Sequence, residues 1–153
     1  MKYMLDTNIC IYAIKQEPEV VLQKILKHHP SDICISSITY AELMHGVEKS
    51  QSKDKNRLAL TLLLSPIQIV DFDSHAAEEY GKIKADLQSQ GKVIGPMDLL
   101  IASHAKSKGL TIVTNNTKEF ERVTQLEVED WSKPLRLIGQ KVCVKTLIIL
   151  DIY

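Results

Sequence analysis

Short apolar runs alternate along the chain with stretches whose apolar residues recur at helical spacing. Tyr3-Met4-Leu5, Ile33-Cys34-Ile35, Ile67 to Phe72 and Leu110 to Val113 are continuous apolar runs of strand length, the pattern of strands buried on both faces. Between the first two runs, Glu19 to Lys27 reads as a helix, with Pro18 suiting its first turn. Ser37 to Lys49 and Lys55 to Leu64 read as two more helices before the third run. Asp73 or Ser74 can cap the next helix, whose stripe is Ala76, Tyr80, Ile83 and Leu87. Gly91 and Gly95 mark a loop, Pro96 opens a further helix, and Gly109 suits its C′ position. Strands separated by helices predict βαβ units, and hence an α/β fold with a mainly parallel sheet flanked by helices. No repeat, low-complexity tract or linker interrupts the pattern.

Composition narrows the classes. A chain of 153 residues with 44% hydrophobic and 25% charged residues suits one globular domain. Nineteen basic and nineteen acidic residues cancel, which argues against binding nucleic acid by broad neutralisation of phosphates, though not against a locally basic face. Cys10, Cys34 and Cys143 sit among apolar neighbours without paired spacing, as expected of reduced, buried thiols in the cytoplasm. No apolar run approaches the ~20 residues of a membrane span. The N-terminal Met1 to Leu5 meets Asp6 too early for a leader's hydrophobic region. His28, His29, His45, His75 and His104 show no zinc-like pairing with cysteine and read as without chemistry.

The candidate chemistry lies in acids at strand ends. Asp6 follows the first strand directly, and ligands of open α/β sheets bind beyond the carboxyl ends of strands. Its two readings are a ligand to a hard cation and an N-cap for the helix that follows. A phosphatase of the haloacid-dehalogenase type needs an Asp where Asn8 stands. Glu42 is expected opposite a core stripe of Tyr40, Leu43, Met44 and Val47, which by periodicity alone makes it a surface acid. Asp98 suits the positive end of a helix dipole, yet its helix is almost wholly apolar, so its carboxylate needs a partner. Asn116 and Glu119 are oxygen donors that follow the fourth strand in Thr114-Asn115-Asn116-Thr117-Lys118-Glu119-Phe120, which taken alone reads sooner as a turn and cap built from Asn and Thr side chains.

Taken in order, Leu5-Asp6-Thr7-Asn8, Ala41-Glu42-Leu43 with Gly46, Gly95-Pro96-Met97-Asp98, and Val113 to Phe120 resemble the signature of PIN-domain ribonucleases of the VapC toxin type. The likeness runs from about position 2 to 132 and ends in Glu129-Asp130-Trp131-Ser132. It implies a doubly wound, three-layer α/β/α fold and an endoribonuclease dependent on Mg²⁺ or Mn²⁺. It further implies a VapB-like antitoxin partner, frequent homodimers, and RNA substrates that include the tRNA anticodon loop. By position, Asp6, Glu42 and Asp98 match the family's carboxylates, with Asp6 and Asp98 as metal ligands. For the fourth place, where many relatives carry Asp, this chain has Asn116; Glu119, one turn on, is favoured to supply the charge, with Asn116 and Thr114 as further site residues. The expected division is a nuclease domain over 1–132 and an extension over 133–153, in which Val142, Val144 and Leu147 to Leu150 read as a strand.

Two rivals have distinct marks. A receiver-type signalling domain would place adjacent acids after strand one and a phosphoacceptor Asp after strand three, where Asp71 and Asp73 stand. A PIN-like module that only binds would have lost catalysis through its incomplete fourth position, and the retained Asp6, Glu42 and Asp98 argue against it.

Overall fold

Among the described residues, five parallel strands form one sheet in the order β3-β2-β1-β4-β5. The computed structural model describes residues 1–134; the expected strand between 142 and 150, and Cys143, lie outside the described residues. In chain order the elements are β1 (Tyr3–Leu5), α1 (Thr7–Lys15), α2 (Glu19–Lys27), β2 (Ile33–Ser36), α3 (Ser37–Lys49), α4 (Lys53–Leu64) and β3 (Gln68–Val70). There follow α5 (Ser74–Ser89), α6 (Pro96–Ser107), β4 (Thr111–Val113), α7 (Thr117–Phe120) and β5 (Val128–Glu129), with a 3₁₀ turn at Pro30–Asp32.

Strand alternation sorts the core into two halves. Tyr3, Leu5, Ile33, Ile35 and Val113 pack with residues of α1 to α4 on one face of the sheet. Met4, Cys34 and Ile112 pack with α5, α6 and Phe120 of α7 on the other. Both faces of the three inner strands are therefore dry, which explains why they read as continuous apolar runs rather than alternating ones. The fold is the expected doubly wound α/β/α arrangement, and its strand order reverses between β1 and β4. That reversal opens a crevice at the C-terminal ends of those two strands, where Asp6 and Thr114 emerge.

Several expectations shift. The third run is an edge strand rather than a doubly buried one, with Ile69 39% exposed. Apolar content alone cannot separate an edge strand from an inner one, because both carry β-branched residues. In α3 the buried stripe is Thr39, Leu43 and Val47, while Tyr40 is 37% exposed. Replacing Tyr40 and Met44 by Thr39 turns the stripe by roughly 45° toward Glu42, so that acid flanks the core instead of opposing it. The two-residue β5 was not anticipated; so short a strand carries no periodicity to detect. Trp131 then closes that end of the sheet, edge-on to Tyr3 at 5.1 Å and stacked on His28 at 4.8 Å. Cys10 and Cys34 are buried free thiols, as their neighbours predicted.

Candidate active site

The crevice gathers the acids from four separate chain segments. Asp6 continues the ladder one residue past β1, its N–H donating to the Val113 carbonyl at 2.9 Å. It is also the N-cap of α1, with Oδ1 accepting from Thr7 N at 2.8 Å. Cap and crevice acid are thus the same carboxylate, and the two readings of Asp6 are compatible. Its other oxygen, Oδ2, accepts from the Thr114 hydroxyl at 2.8 Å. Asp6 is only 3% exposed. Burial drives its carboxyl up to about 6, helped by the charges of Asp98 and Glu42 and opposed by the bonds from Thr114 and Thr7.

Each remaining acid has its own neutral donor. Thr7, in the first turn of α1, donates its hydroxyl to Glu42 Oε2 at 2.5 Å, drawing the α3 acid into the crevice. Asn116 Nδ2 donates to Asp98 Oδ2 at 2.9 Å. Burial raises the Asp98 carboxyl above its ordinary range, with Glu119 and Glu42 adding repulsion against the Asn116 bond. Glu119 Oε2 accepts from Gly95 N at 2.8 Å, the residue that caps α6. A Cβ at Gly95 would stand 3.7 Å from both Asp98 Oδ2 and Glu119 Oε2, ordinary van der Waals contact, so this backbone position lies directly against the two carboxylates.

Asp6, Glu42, Asp98 and Glu119, all expected from the sequence, are thus brought together, with Thr114 and Asn116 as donors to two of them. Among the described residues none of the four acids pairs with Lys or Arg. Nor do any three His, Cys, Asp or Glu side chains there already close on one metal-ligating point. Thr7, Thr114, Asn116 and the Gly95 amide hold the acids individually. Mutually repelling carboxylates without a cationic side chain nevertheless fit a divalent ion well, and an all-oxygen donor set selects a hard one. Thr7 was not singled out in advance, although its place beside Asp6 at the strand end was a usable signal.

The receiver layout is absent. Asp73, which follows the edge strand β3, caps α5 by accepting from Ala76 N at 3.0 Å and pairs with Lys108 at 2.5 Å.

Comparison with known proteins accords with this geometry. The PIN domain profile matches residues 3–126. The chain is 48% identical over 132 residues to the tRNA(fMet)-specific endonuclease VapC of Shigella flexneri, covering 86% of this chain and 99% of that protein. It is 47% identical over 131 residues to ribonuclease VapC2 of Haemophilus influenzae strain Rd, covering 86% and 98%. Among solved structures, VapBC2 of Rickettsia felis bound to a promoter DNA fragment superposes with a TM-score of 0.80 at 44% identity, covering 86% of this chain and 99% of that one. With the motif order, the doubly wound sheet and the crevice of acids all in agreement, the chain belongs to the PIN-domain family, in its VapC group of ribonucleases.

Proposed function

We propose that residues 1–132 form a divalent-metal-dependent endoribonuclease domain, with 133–153 an extension outside it. Asp6 and Asp98 would hold Mg²⁺, or Mn²⁺ in its stead, and Glu42 and Glu119 would complete the acidic site. The observation that carries this reading is the buried Asp6, free of any cationic partner among the described residues, beside Asp98 and Glu42 at the switch point of a parallel sheet, with Glu119 beside Asp98 in turn. When bound, the ion supplies the positive charge that acidifies a water and offsets charge building on the phosphate. Asp98, one of the carboxylates at the ion, is also the proposed acceptor of the attacking water's proton. Thr7 keeps Glu42 turned inward and Thr114 fixes Asp6, so the acids do not fold away from one another in the absence of RNA. The division at 132 is supported by relatives whose nearly entire length fits within 86% of this chain.

Initiator tRNA is the substrate to test first, since relatives from Shigella and Salmonella carry the name tRNA(fMet)-specific endonuclease. A VapB-like antitoxin is the proposed partner, because the similar solved structures are VapBC complexes. A basic side chain from that antitoxin, such as Arg, would suit the acidic crevice. The protein would act as a homodimer in the cytoplasm; among the described residues no helix is long and apolar enough to cross a membrane.

Purified full-length protein with millimolar Mg²⁺ is expected to cut end-labelled initiator tRNA in the anticodon loop, leaving 5′ phosphate and 3′ hydroxyl ends. Cleavage that persists in EDTA, or that leaves a cyclic phosphate, would overturn the metal reading.

The fourth acid has its own test. Asn116 spends its amide N–H on Asp98, which makes it a donor to a ligand, whereas Glu119 brings a charge. Glu119→Gln is expected to raise the Mg²⁺ concentration for half-maximal cleavage by about tenfold, roughly one charge-assisted contact, with little loss of rate at saturating metal. Metal titrations in which Asn116→Ala shows that shift and Glu119→Gln does not would reverse the assignment.

A further inference from the structure

His104 is a fully buried side chain that the proposed chemistry leaves unused. It lies on α6 at 0% exposure, with Nδ1 2.8 Å from Ser36 Oγ and the Phe72 ring edge-on at 5.5 Å. Ser36 is also 0% exposed; it ends β2 and caps α3, its Oγ accepting from Ile38 N at 3.1 Å. One hydroxyl therefore ties the first turn of α3 to the last turn of α6, two helices that pack on each other. Burial keeps the imidazole below its ordinary range, so the ring is neutral at pH 7, and one proton is shared between Oγ and Nδ1 in either tautomer.

This pair is a costly way to fill space. His104 Nε2 makes no hydrogen bond of good geometry among the described residues, and the ring's only further polar contact there is a weak one with the Asp71 backbone; a buried polar atom so poorly satisfied is destabilising. An apolar pair of the same volume would pack the interface without that cost. What a hydrogen bond adds to packing is direction and length. Glu42 lies six residues after Ser36 on α3, and Asp98 six residues before His104 on α6. Each acid is therefore about 9 Å along a rigid helix from the bridge, and a shift at the bridge is carried directly to the gap between the acids.

We propose that the Ser36–His104 bridge sets the separation of Glu42 from Asp98, making both residues positioning residues for the metal-binding acids. The inference rests on the reading of those acids as the metal site.

The test compares Ser36→Ala, His104→Leu, His104→Asn and the Ser36→Ala/His104→Leu double variant in the full-length protein. Free Mn²⁺ is followed by electron paramagnetic resonance without RNA, and cleavage kinetics are measured at saturating Mn²⁺. Each bridge-breaking single variant is expected to bind Mn²⁺ about fivefold more weakly and to lower kcat about tenfold, with KM for RNA within about twofold, a separation that uniform loss of fold would not give. The double variant is expected to be no worse than the poorer single one, because one shared contact is removed in each. His104→Asn, which places an amide where Nδ1 lies, is expected to return both quantities to within about twofold of wild type. Wild-type Mn²⁺ binding and kcat in folded His104→Leu, losses that multiply in the double variant, or His104→Asn as impaired as His104→Leu would each overturn the proposal. Should His104→Leu not fold, wild-type Mn²⁺ binding in Ser36→Ala overturns it equally. Asp6→Asn run alongside separates the two readings: Mn²⁺ binding and cleavage retained there sink the metal site itself, whereas their loss there with a silent bridge sinks only the spacer.

Discussion

Asp6→Asn is expected to abolish RNA cleavage and, at pH 7 without metal, to melt at a higher temperature than wild type. The first effect follows from removing the innermost charge of the acidic crevice, and a loss of ~10³-fold or more is the scale for a residue that acts as part of a unit. The second follows from linkage. The Asp6 carboxyl titrates near 6 in the folded protein against 3.8 for the unperturbed group, so the folded state holds its proton more tightly. The protonated form thus favours folding below about pH 4, and that advantage drains away as pH rises through 6. Above that window, ionised Asp6 costs the apo protein about 3 kcal/mol, from two pKa units at ~1.4 kcal/mol each.

Asparagine escapes that cost but gives up part of the bonding. Its amide cannot accept from both Thr7 N and the Thr114 hydroxyl, although Thr114 can turn its own proton away and accept instead. A net gain of about 1–2 kcal/mol remains, several degrees of melting temperature for a chain of this length. Thermal melts from pH 4 to 7.5 check it: the gap between variant and wild type should be small at pH 4 and flat above about 6.5. Millimolar Mg²⁺ should raise the wild-type curve and leave that of Asp6→Asn in place. A variant that melts below wild type at every pH would mean that Asp6 is held by its hydrogen bonds far more than it is penalised by burial.

Phe120→Ala carries the largest expected loss of stability. Phe120 is among the largest fully buried side chains, at 0% exposure in the half-core beneath α5, α6 and α7. Replacing it leaves a cavity that the single turn of α7 cannot fill, a loss on the order of 3–5 kcal/mol. Against a typical total of about 5–15 kcal/mol, this lowers the melting temperature by about 10 °C or more. The same change loosens Glu119, the preceding residue, whose carboxylate reaches the Gly95 amide. The metal concentration for half-maximal cleavage should therefore rise alongside the stability loss, while Phe120→Leu should cost about 1 kcal/mol and spare the metal response. Calorimetry and Mg²⁺ titration of the two variants settle this, and a Phe120→Ala curve within two degrees or so of wild type would mean that α7 is not anchored through its ring.

What the amino-acid sequence determined alone was the class of fold, the order of its longer elements and the acids that stand at the strand ends. Runs such as Tyr3–Leu5 and Ile33–Cys34–Ile35 are apolar without alternation because both faces are covered, and that requirement is written residue by residue. Pro96 and Gly109 bracket α6 because their backbone constraints are local, and Gly109 does adopt φ +63°. Asp6 and Asp98 could be singled out because each stands where an acid needs a reason: at a buried strand end, and in the first turn of an apolar helix.

Tertiary structure alone decided which face of α3 turns inward, whereas the α5 stripe of Ala76, Ile83 and Leu87 was legible from its spacing. Periodicity put Tyr40 in the core and Glu42 outside, and it erred because Thr39 is buried in place of Tyr40, a choice made by neighbours distant in the chain. The edge position of β3 depends on which strand lies beside it, which no run of its own residues records. The donors that orient the acids join Thr7 to Glu42 across 35 positions, Thr114 to Asp6 across 108 and Asn116 to Asp98 across 18. His104 reads in the sequence as one bland histidine among five, and only the packing of α6 on α3 brings it to Ser36, 68 residues earlier. Local constraints fix the type of each element, because backbone conformation and burial period act over a few residues. Partners in hydrogen bonds between elements are chosen by where the sheet's twist and crossovers deliver them, and that is a property of the assembled fold.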